Sequence, residues 1–483
     1  MVSLATQMHH LGAISAMAQR AIDSQPIGGE NYRAIVLLYF AGGNDGNNMV
    51  IPNHNDPAIS NYTAYSNARS TQGLAIEQAA LLPISVPRLN NLTYGLHPAL
   101  GPSATGAINN GIHELYGMGK LAIVANVGNL VRPLTKAQYQ SSQFQKPYQL
   151  FSHSDQVNQS QTSVSNTQAF TGWGGRMSDK LTMPFNPNGL VPMVTSIAGA
   201  QLFTAGQTTL PLAIADSNTA LNSVLNPAGY GTNPTGANLA RRNAFNSLRT
   251  LDLEANYIKA ASHVTDLAMQ ANSALQVTQE VTVPFPNTGI GRQLKQVARL
   301  IKERTDLNVN RQVFYVQIGG FDTHTNELAQ HNNLFGQFSQ AMRSFYDEMV
   351  TQGVSNDVTT FTLSDFGRTF NPAGVGAGVV GSDHAWGNHT FVMGGSVAGG
   401  DFYGSLRPDG TGNYFPTLTI TGPDDTDSNS NSRGRWIPTT SVDQYAAVMA
   451  KWFGLPQDAA TLEAVFPNLD NFPGTYSQLG FLP

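Results

Sequence analysis

"QVFYVQIGGFDTHTNE", residues 312–327, carries a strand-like run of β-branched and aromatic residues into two glycines. Asp322 and His324 follow at once, two residues apart. Upstream, GRQLKQVARLIKERT places Leu294, Val297, Leu300 and Ile301 at the intervals of a helix face. Downstream, Leu328, Phe335, Phe338, Met342, Phe345 and Met349 recur at spacings of seven, three, four, three and four, a second helical stripe. VTTFTLSDFG, from Val358, is strand-like again. Helix, strand, helix, strand in succession predicts an α/β fold, with a mostly parallel central sheet sandwiched by helices.

Working outward, RAIVLLYF (33–40) and LAIVANVG (121–128) are continuous apolar runs, as expected of strands buried on both faces. The second follows a helical stretch, GIHELYGMGK, and LVPMVTSIAG is a weaker third run. A last amphipathic helix, SVDQYAAVMAKWFG, starts at a Ser/Asp cap and stops at Gly454 before Pro456. Residues 216–239 and 421–434 are rich in Asn, Ser, Gly and Pro and read as surface insertions on one domain spanning 31–483.

Composition narrows the chemistry. Only 12% of the 483 residues are charged, about half the ~25% usual for soluble domains. The net charge of -5, with no long basic run, argues against a nucleic-acid groove. There is no cysteine, so disulfides, thiolate metal sites and cysteine nucleophiles are excluded. Any metal must sit on Asp, Glu, His, Asn or main-chain oxygen. No run of about 18 apolar residues spans a membrane. Residues 1–30 read as a leader or clipped export signal: Ala16-Met17-Ala18 has the small-x-small pattern of a cleavage site, although no Lys or Arg precedes Arg20.

Three strand runs end in similar polar residues: Asn44 and Asp45 after the first, Asp322 and His324 after the second, Asp365 and Arg368 after the third. A single aspartate there most simply caps a helix, and Asp322 or Thr323 fits that use. In a parallel sheet, however, all three ends share the edge where ligands bind. Three carboxylates gathered there need a cation or strong donors to stay ionised together. GSDHAWGNH adds Asp383, His384 and His389, an O/N donor set suited to zinc or manganese. LFSHSDQ offers Ser152, His153 and Ser154 where a helix begins, either as a nucleophile facing an anionic ester or as a plain N-cap. Arg368 and Arg176 are candidates to grip a substrate anion, or ordinary ion-pair partners. His331, seven residues after His324 on the following helix, reads as lying on the helix surface or supporting a ligand, not as a ligand itself, and His97 has no clear role.

VLLYFAGGNDGNNMVIP, LHPAL, FSHSDQ, TGWGGR, GGFDTHTNE, LSDFGRTFNPAG and GSDHAWGNHTFVMGGSVAGGDFYG, in this order, resemble the bacterial family known as domain of unknown function 1501. The resemblance runs from about residue 30 to 455 and extends to the alkaline phosphatase/sulfatase superfamily. It implies a metal site at the strand ends, with Asp45, Ser152, Asp322 and His324, Asp365, and His384 or His389 in the superfamily's order. It also implies an export signal, usually of the twin-arginine type, though that arginine pair is missing here. Two further departures stand out. Asp365 is followed by Phe366 where the superfamily has histidine, and the Asp322-to-His324 spacing is short.

Together these readings predict an exported, periplasmic or extracellular hydrolase of phosphate or sulfate esters. Asp45, Asp322, His324, Asp365, Asp383, His384 and His389 would hold one or two divalent ions (Zn, Mn or Ca). Ser152 or Ser154 would attack beside His153, Arg368 and Asn44 would steady the substrate oxygens, and Arg176 would bind the substrate. Its partner is a small-molecule or carbohydrate ester. The alternative is a secreted binding or surface-assembly protein on a hydrolase-like fold.

Overall fold

In the computed structural model, the structure describes residues 32–57, 59–103, 110–225, 234–276, 279–376, 378–429, 431–472 and 479–483. The leader read at residues 1–30 lies outside the described residues. A nine-stranded sheet forms the centre. Its strands in chain order are β1 (Arg33–Phe40), β2 (Leu121–Gly128), β3 (Val194–Ser196), β4 (Leu212–Ala213) and β5 (Arg311–Ile318). Then come β6 (Val358–Ser364), β7 (Asn388–Gly394), β8 (Phe402–Tyr403) and β9 (Thr440–Ser441). The spatial order is β8-β2-β7-β6-β1-β5-β3-β4, with β9 also on β2. Adjacent pairs are parallel except those of β7, which runs antiparallel to β6 and β2. The expected mostly parallel sheet is therefore present.

β1 shows why its sequence is apolar throughout. Ala34, Val36, Leu38 and Phe40 join a core against helices Gly289–Lys302 and Glu327–Thr351. Ile35, Leu37 and Tyr39 join a second core against helices Trp173–Phe185 and Val442–Phe453. A strand covered on both faces has no polar side, so period-two alternation disappears. Helix Val442–Phe453 begins in a capping box between Ser441 and Gln444 and ends at left-handed Gly454; it is not the last, since a short helix, Ala459–Val465, follows.

Two features were not read from the sequence. The β7 run, NHTFVMG, is a fully buried strand. Being antiparallel, it starts at the edge where β1, β5 and β6 end, so the segment between β6 and β7 lies along that edge. Residues 236–239, at the end of the first insertion, open the helix Gly236–Arg249 instead of continuing a loose excursion, and a second helix, Asn256–Ala274, follows. A small three-stranded antiparallel sheet (Val50–Pro52, Leu82–Val86, Leu92–Leu96) packs beside the main one.

Candidate metal centre

The edge turns are set by glycine. After β1, Gly42 has φ +113 and a Cβ there would lie 2.5 Å from the Asp322 amide nitrogen. Gly43 has φ +82 and its Cβ would lie 2.5 Å from the Phe366 ring. No other residue adopts these dihedrals cheaply while letting the turns after β5 and β6 come this close. The result brings Asp322, Asp365 and Phe366 around the end of β1.

Four side chains converge there. His153 is the first residue of helix His153–Thr162, His384 lies in the segment before β7, and Asp322 and His324 follow β5. His384 Nε2 is 3.1 Å from His153 Nε2 and 3.2 Å from His324 Nε2. The Asp322 carboxylate lies 3.0 Å from His324 Nε2, 3.3 Å from His384 Nε2 and 3.4 Å from His153 Nε2. The ligand atoms of His153, Asp322 and His384 all lie within 4.8 Å of one another.

The other ring nitrogens fix the tautomers. His384 Nδ1 is 2.8 Å from the Phe151 carbonyl, which only accepts, so Nδ1 carries the hydrogen. His153 Nδ1 is 2.8 Å from Asp365 Oδ2, and His324 Nδ1 is 3.2 Å from Asp383 Oδ1. With each Nδ1 donating to oxygen, each neutral ring turns an Nε2 lone pair inward. Three lone pairs and a carboxylate facing one another at these distances repel unless a cation lies among them. Ligands of a tetrahedral ion at 2.0–2.1 Å are separated by roughly 3.3–3.4 Å. The separations among His153, Asp322 and His384, 3.1 to 3.4 Å, sit close to that edge length, so these three donors fit a divalent ion, with His324 beside Asp322 and His384.

Charges around the cluster act in the same direction. Partial burial works against ionisation of Asp322, but the Arg368 guanidinium, donating at 2.8 Å, holds its pKa below the ordinary value, helped by His153 and His324. The hydrogen bond to Asp365 raises the His153 pKa against its partial desolvation. Desolvation lowers that of His384, despite its bond to the Phe151 carbonyl. Phe366 lies under both rings, with centroids 4.8 Å from His153 and 4.7 Å from His384. It closes one side, while Asp322 and His324 keep nearly half their side-chain surface exposed.

The remaining candidates fall elsewhere or act differently. Asp365 does not face the cluster centre; its second oxygen accepts from Gly42 N at 3.2 Å, so it orients His153. Asp383 likewise lies between His324 and Arg433, the latter at 2.6 Å. Asp45 is fully buried, ion-paired with Arg69, and caps its short helix by accepting from Asn47 N at 3.1 Å. Burial opposes the charge of Asp45, yet Arg69 and the neighbouring donors bring its pKa below the ordinary value. His389 is buried, stacked on Phe415 at 4.5 Å, and accepts from Asn126 N; desolvation pushes its pKa down to about 3. Neither Asp45 nor His389 joins the cluster, which corrects the expectation drawn from order along the chain.

Arg368 is fully buried and anchored on Ser382, so it positions Asp322 instead of reaching for a substrate. Arg176 caps the carbonyls of Thr162, Thr171 and Val465, inside the core. Asn44 is buried against Asn388 and Met49. Neither residue lines the site, against expectation. His331 is buried behind Asp322, its Nε2 2.9 Å from the Thr323 hydroxyl. Ser152 is the N-cap beside His153; its Oγ donates to Asp155 Oδ2 at 2.6 Å, and Ser154 Oγ lies 3.2 Å away.

Sequence reasoning passed over Arg433 and Arg435. Arg435 donates to the His384 carbonyl at 3.0 Å and lies over the Phe151 ring. They stand at and just past the end of the insertion 421–434, in SRGRW, where two arginines following Asp424, Asp425 and Asp427 were the available signal.

No curated protein matches the chain. Among solved structures it is similar to the sulfatase PsFucS1 from Pseudoalteromonas sp. (9% identity, 83% of this chain and 68% of that one, TM-score 0.28). It is also similar to Ps i-CgsB in complex with k-i-k-neocarrahexaose (8% identity, 92% and 77% covered, TM-score 0.32). A third is a TAB5 alkaline phosphatase mutant with magnesium bound (7% identity, 76% and 92% covered, TM-score 0.22). The glycine-set edge and its histidines lie within residues 32–420, which match the model described as "Protein of unknown function (DUF1501)", and the chain belongs to that family.

Proposed function

We propose that this chain is a metal-dependent hydrolase of phosphate or sulfate esters, exported from the cell that makes it. The observation that carries the reading is the convergence of His153, Asp322 and His384 at separations of 3.1 to 3.4 Å, with His324 beside Asp322 and His384 and each imidazole oriented by an oxygen on its far nitrogen. The donors are hard to borderline, nitrogen and carboxylate oxygen, which favours zinc or manganese over calcium. When bound, such an ion neutralises an ester's oxyanion and lowers the pKa of a hydroxyl or water beside it.

The chain's own groups supply the rest. Asp365 and Asp383 fix the donor rings. Phe366 keeps water from one side. Ser152 stands next to His153 at a helix N-terminus, its hydroxyl already hydrogen-bonded to Asp155, a carboxylate able to take its proton. In this reading Ser152 attacks, or Asp155 activates a water in its place. Arg433 and Arg435, paired with Asp383 and Asp427, hold the rim beside His324 and His384.

The test is direct. Purified protein is loaded with zinc or manganese and assayed against phosphomonoesters, phosphodiesters and sulfate esters, including carbohydrate sulfates, with the His153→Ala variant alongside. Turnover that needs the metal and His153 supports the reading. Stoichiometric metal without turnover on any of these substrates sinks it. The second reading, a secreted binding protein with a structural ion, rests on the hydrogen bonds by which Arg368 is already engaged and on the Ser152 hydroxyl being held by Asp155.

A further inference from the structure

We propose that the helical hairpin of residues 236–274 is the surface through which two copies of this chain pair. The segment enters the chain between the sheet's edge strand β4 and helix Gly289–Lys302. Its first helix, Gly236–Arg249, has no buried residue, whereas Gly289–Lys302 buries a full apolar face. Leu239, Leu248, Leu251, Leu253, Tyr257, Ile258, Val264 and Leu267 are all exposed, Leu251 by 74%, Leu248 by 66% and Tyr257 by 62%. The helices hold each other through polar contacts: Arg249 pairs with Asp266 at 2.7 Å and donates to Ser262 Oγ at 2.9 Å. Leu248, Leu251 and Tyr257, the most exposed of them, are therefore not used to close the hairpin.

Two quantities choose the occupant. The exposed fractions together amount to about four whole large side chains, roughly 700 Å² at the ~150–250 Å² that a large side chain carries. A standard stable interface covers ~800 Å² per partner, so the patch is of interface size and well above scattered surface hydrophobes. The charges are self-complementary. Arg241 stands exposed on the first helix, and Asp252 and Glu254 alternate with Leu251 and Leu253 in the turn. About 12 Å of helix, from Arg241 to its end at Arg249, and then the turn separate the two signs. An antiparallel, two-fold pairing of hairpins sets each basic stretch against the other's acidic turn, with leucines between. A bilayer is the poorer partner, because inserting the leucine turn would carry two carboxylates into the lipid. None of these residues belongs to the metal centre, so the pairing stands or falls apart from the hydrolase reading.

The experiment is sedimentation equilibrium of the full chain across the micromolar range. The expected result is a dimer that falls to half its mass in Leu251→Asp/Tyr257→Asp, with an unchanged circular dichroism melt. Arg241→Glu should weaken the dimer at least tenfold, and adding Asp252→Arg and Glu254→Arg should restore it. A monomer throughout the range, or a dimer indifferent to the double aspartate variant, overturns the proposal. So does a monomer that floats with phosphatidylglycerol/phosphatidylcholine vesicles, which would assign the turn to membranes. Failure of the charge-swap rescue overturns the antiparallel arrangement.

Discussion

Replacing Asp365 by Asn tests the metal centre where its geometry is most constrained. Asp365 is buried and accepts two hydrogen bonds on two oxygens, from His153 Nδ1 at 2.8 Å and Gly42 N at 3.2 Å. Asparagine offers one acceptor oxygen and one NH2 in the same space. If the oxygen keeps Gly42, the NH2 faces His153 Nδ1 and forces the hydrogen onto Nε2, removing one lone pair from the cluster. If the oxygen keeps His153, the NH2 meets the Gly42 amide, donor against donor. Either way the ring is no longer held as it was, and partners of this kind contribute roughly 10–100-fold in metal affinity, about 1.4–2.7 kcal/mol. Competition against a chromophoric chelator, with zinc and the folded variant, should show that loss. Asp383→Asn, which acts on the more exposed His324, should fall at the lower end. An Asp365→Asn protein that binds zinc as tightly as the parent, within twofold, would refute the tautomer argument and the cluster's reading as a metal site.

Other expectations follow from groups away from the cluster. Asp45→Asn should retain its metal in elemental analysis while losing stability, whereas Arg69→Met, which strands buried Asp45, should cost about 3–5 kcal/mol in urea unfolding. Gly43→Ala pushes a Cβ into the Phe366 ring from a left-handed φ, and a loss of about 1–3 kcal/mol should appear in the same assay. Asp443 is buried beside Ser163, and desolvation raises its pKa to about 7. The folded chain therefore holds a proton that the unfolded chain has lost, and stability falls as pH rises from about 4 to about 7, by at most ~4 kcal/mol from this group. Asp443→Asn should flatten that slope in chemical denaturation at pH 5 and pH 8; an unchanged slope would show that Asp443 titrates normally. Ser152→Ala should leave metal content unchanged and abolish turnover if the hydroxyl attacks; retained turnover points to water.

The fold was legible where burial leaves a simple trace. β1 and β2 are nearly apolar without alternation because both faces are covered, β5 and β6 keep β-branched and aromatic runs between polar residues, and the stripe from Leu328 to Met349 follows a real helix. β7 was missed because NHTFVMG opens on two polar residues, Asn388 and His389, which are buried through specific partners, the Asn44 carbonyl and the Phe415 ring. At the site, strand ends announced Asp322, His324 and Asp365, but not the role of each. Whether a carboxylate faces the cluster centre or turns to an imidazole depends on one side-chain torsion, and spacing along the chain carries no record of it. Asp45 misled for a different reason. Its neutralising partner, Arg69, lies 24 positions away in a helix that looks like any polar surface helix.

That pairing decides how many ions the edge can hold. A second divalent ion would need further carboxylates or imidazoles with free lone pairs near the first. Asp45 is neutralised by Arg69, which also lies 3.7 Å from Glu327. Burial beside Asp45 raises the Glu327 pKa to about 8, so it is a poor anionic donor at neutral pH. Asp365 is engaged by His153, and Asp383 by His324 and Arg433. His389 faces Phe415, and Phe366 packs against the rings of His153 and His384. Among the described residues, one donor set is left, and inside the protein a guanidinium provides the second positive charge. The expected stoichiometry is therefore one ion per chain, and two tightly held ions by elemental analysis would mean that the Asp45–Arg69 pair opens when metal is supplied.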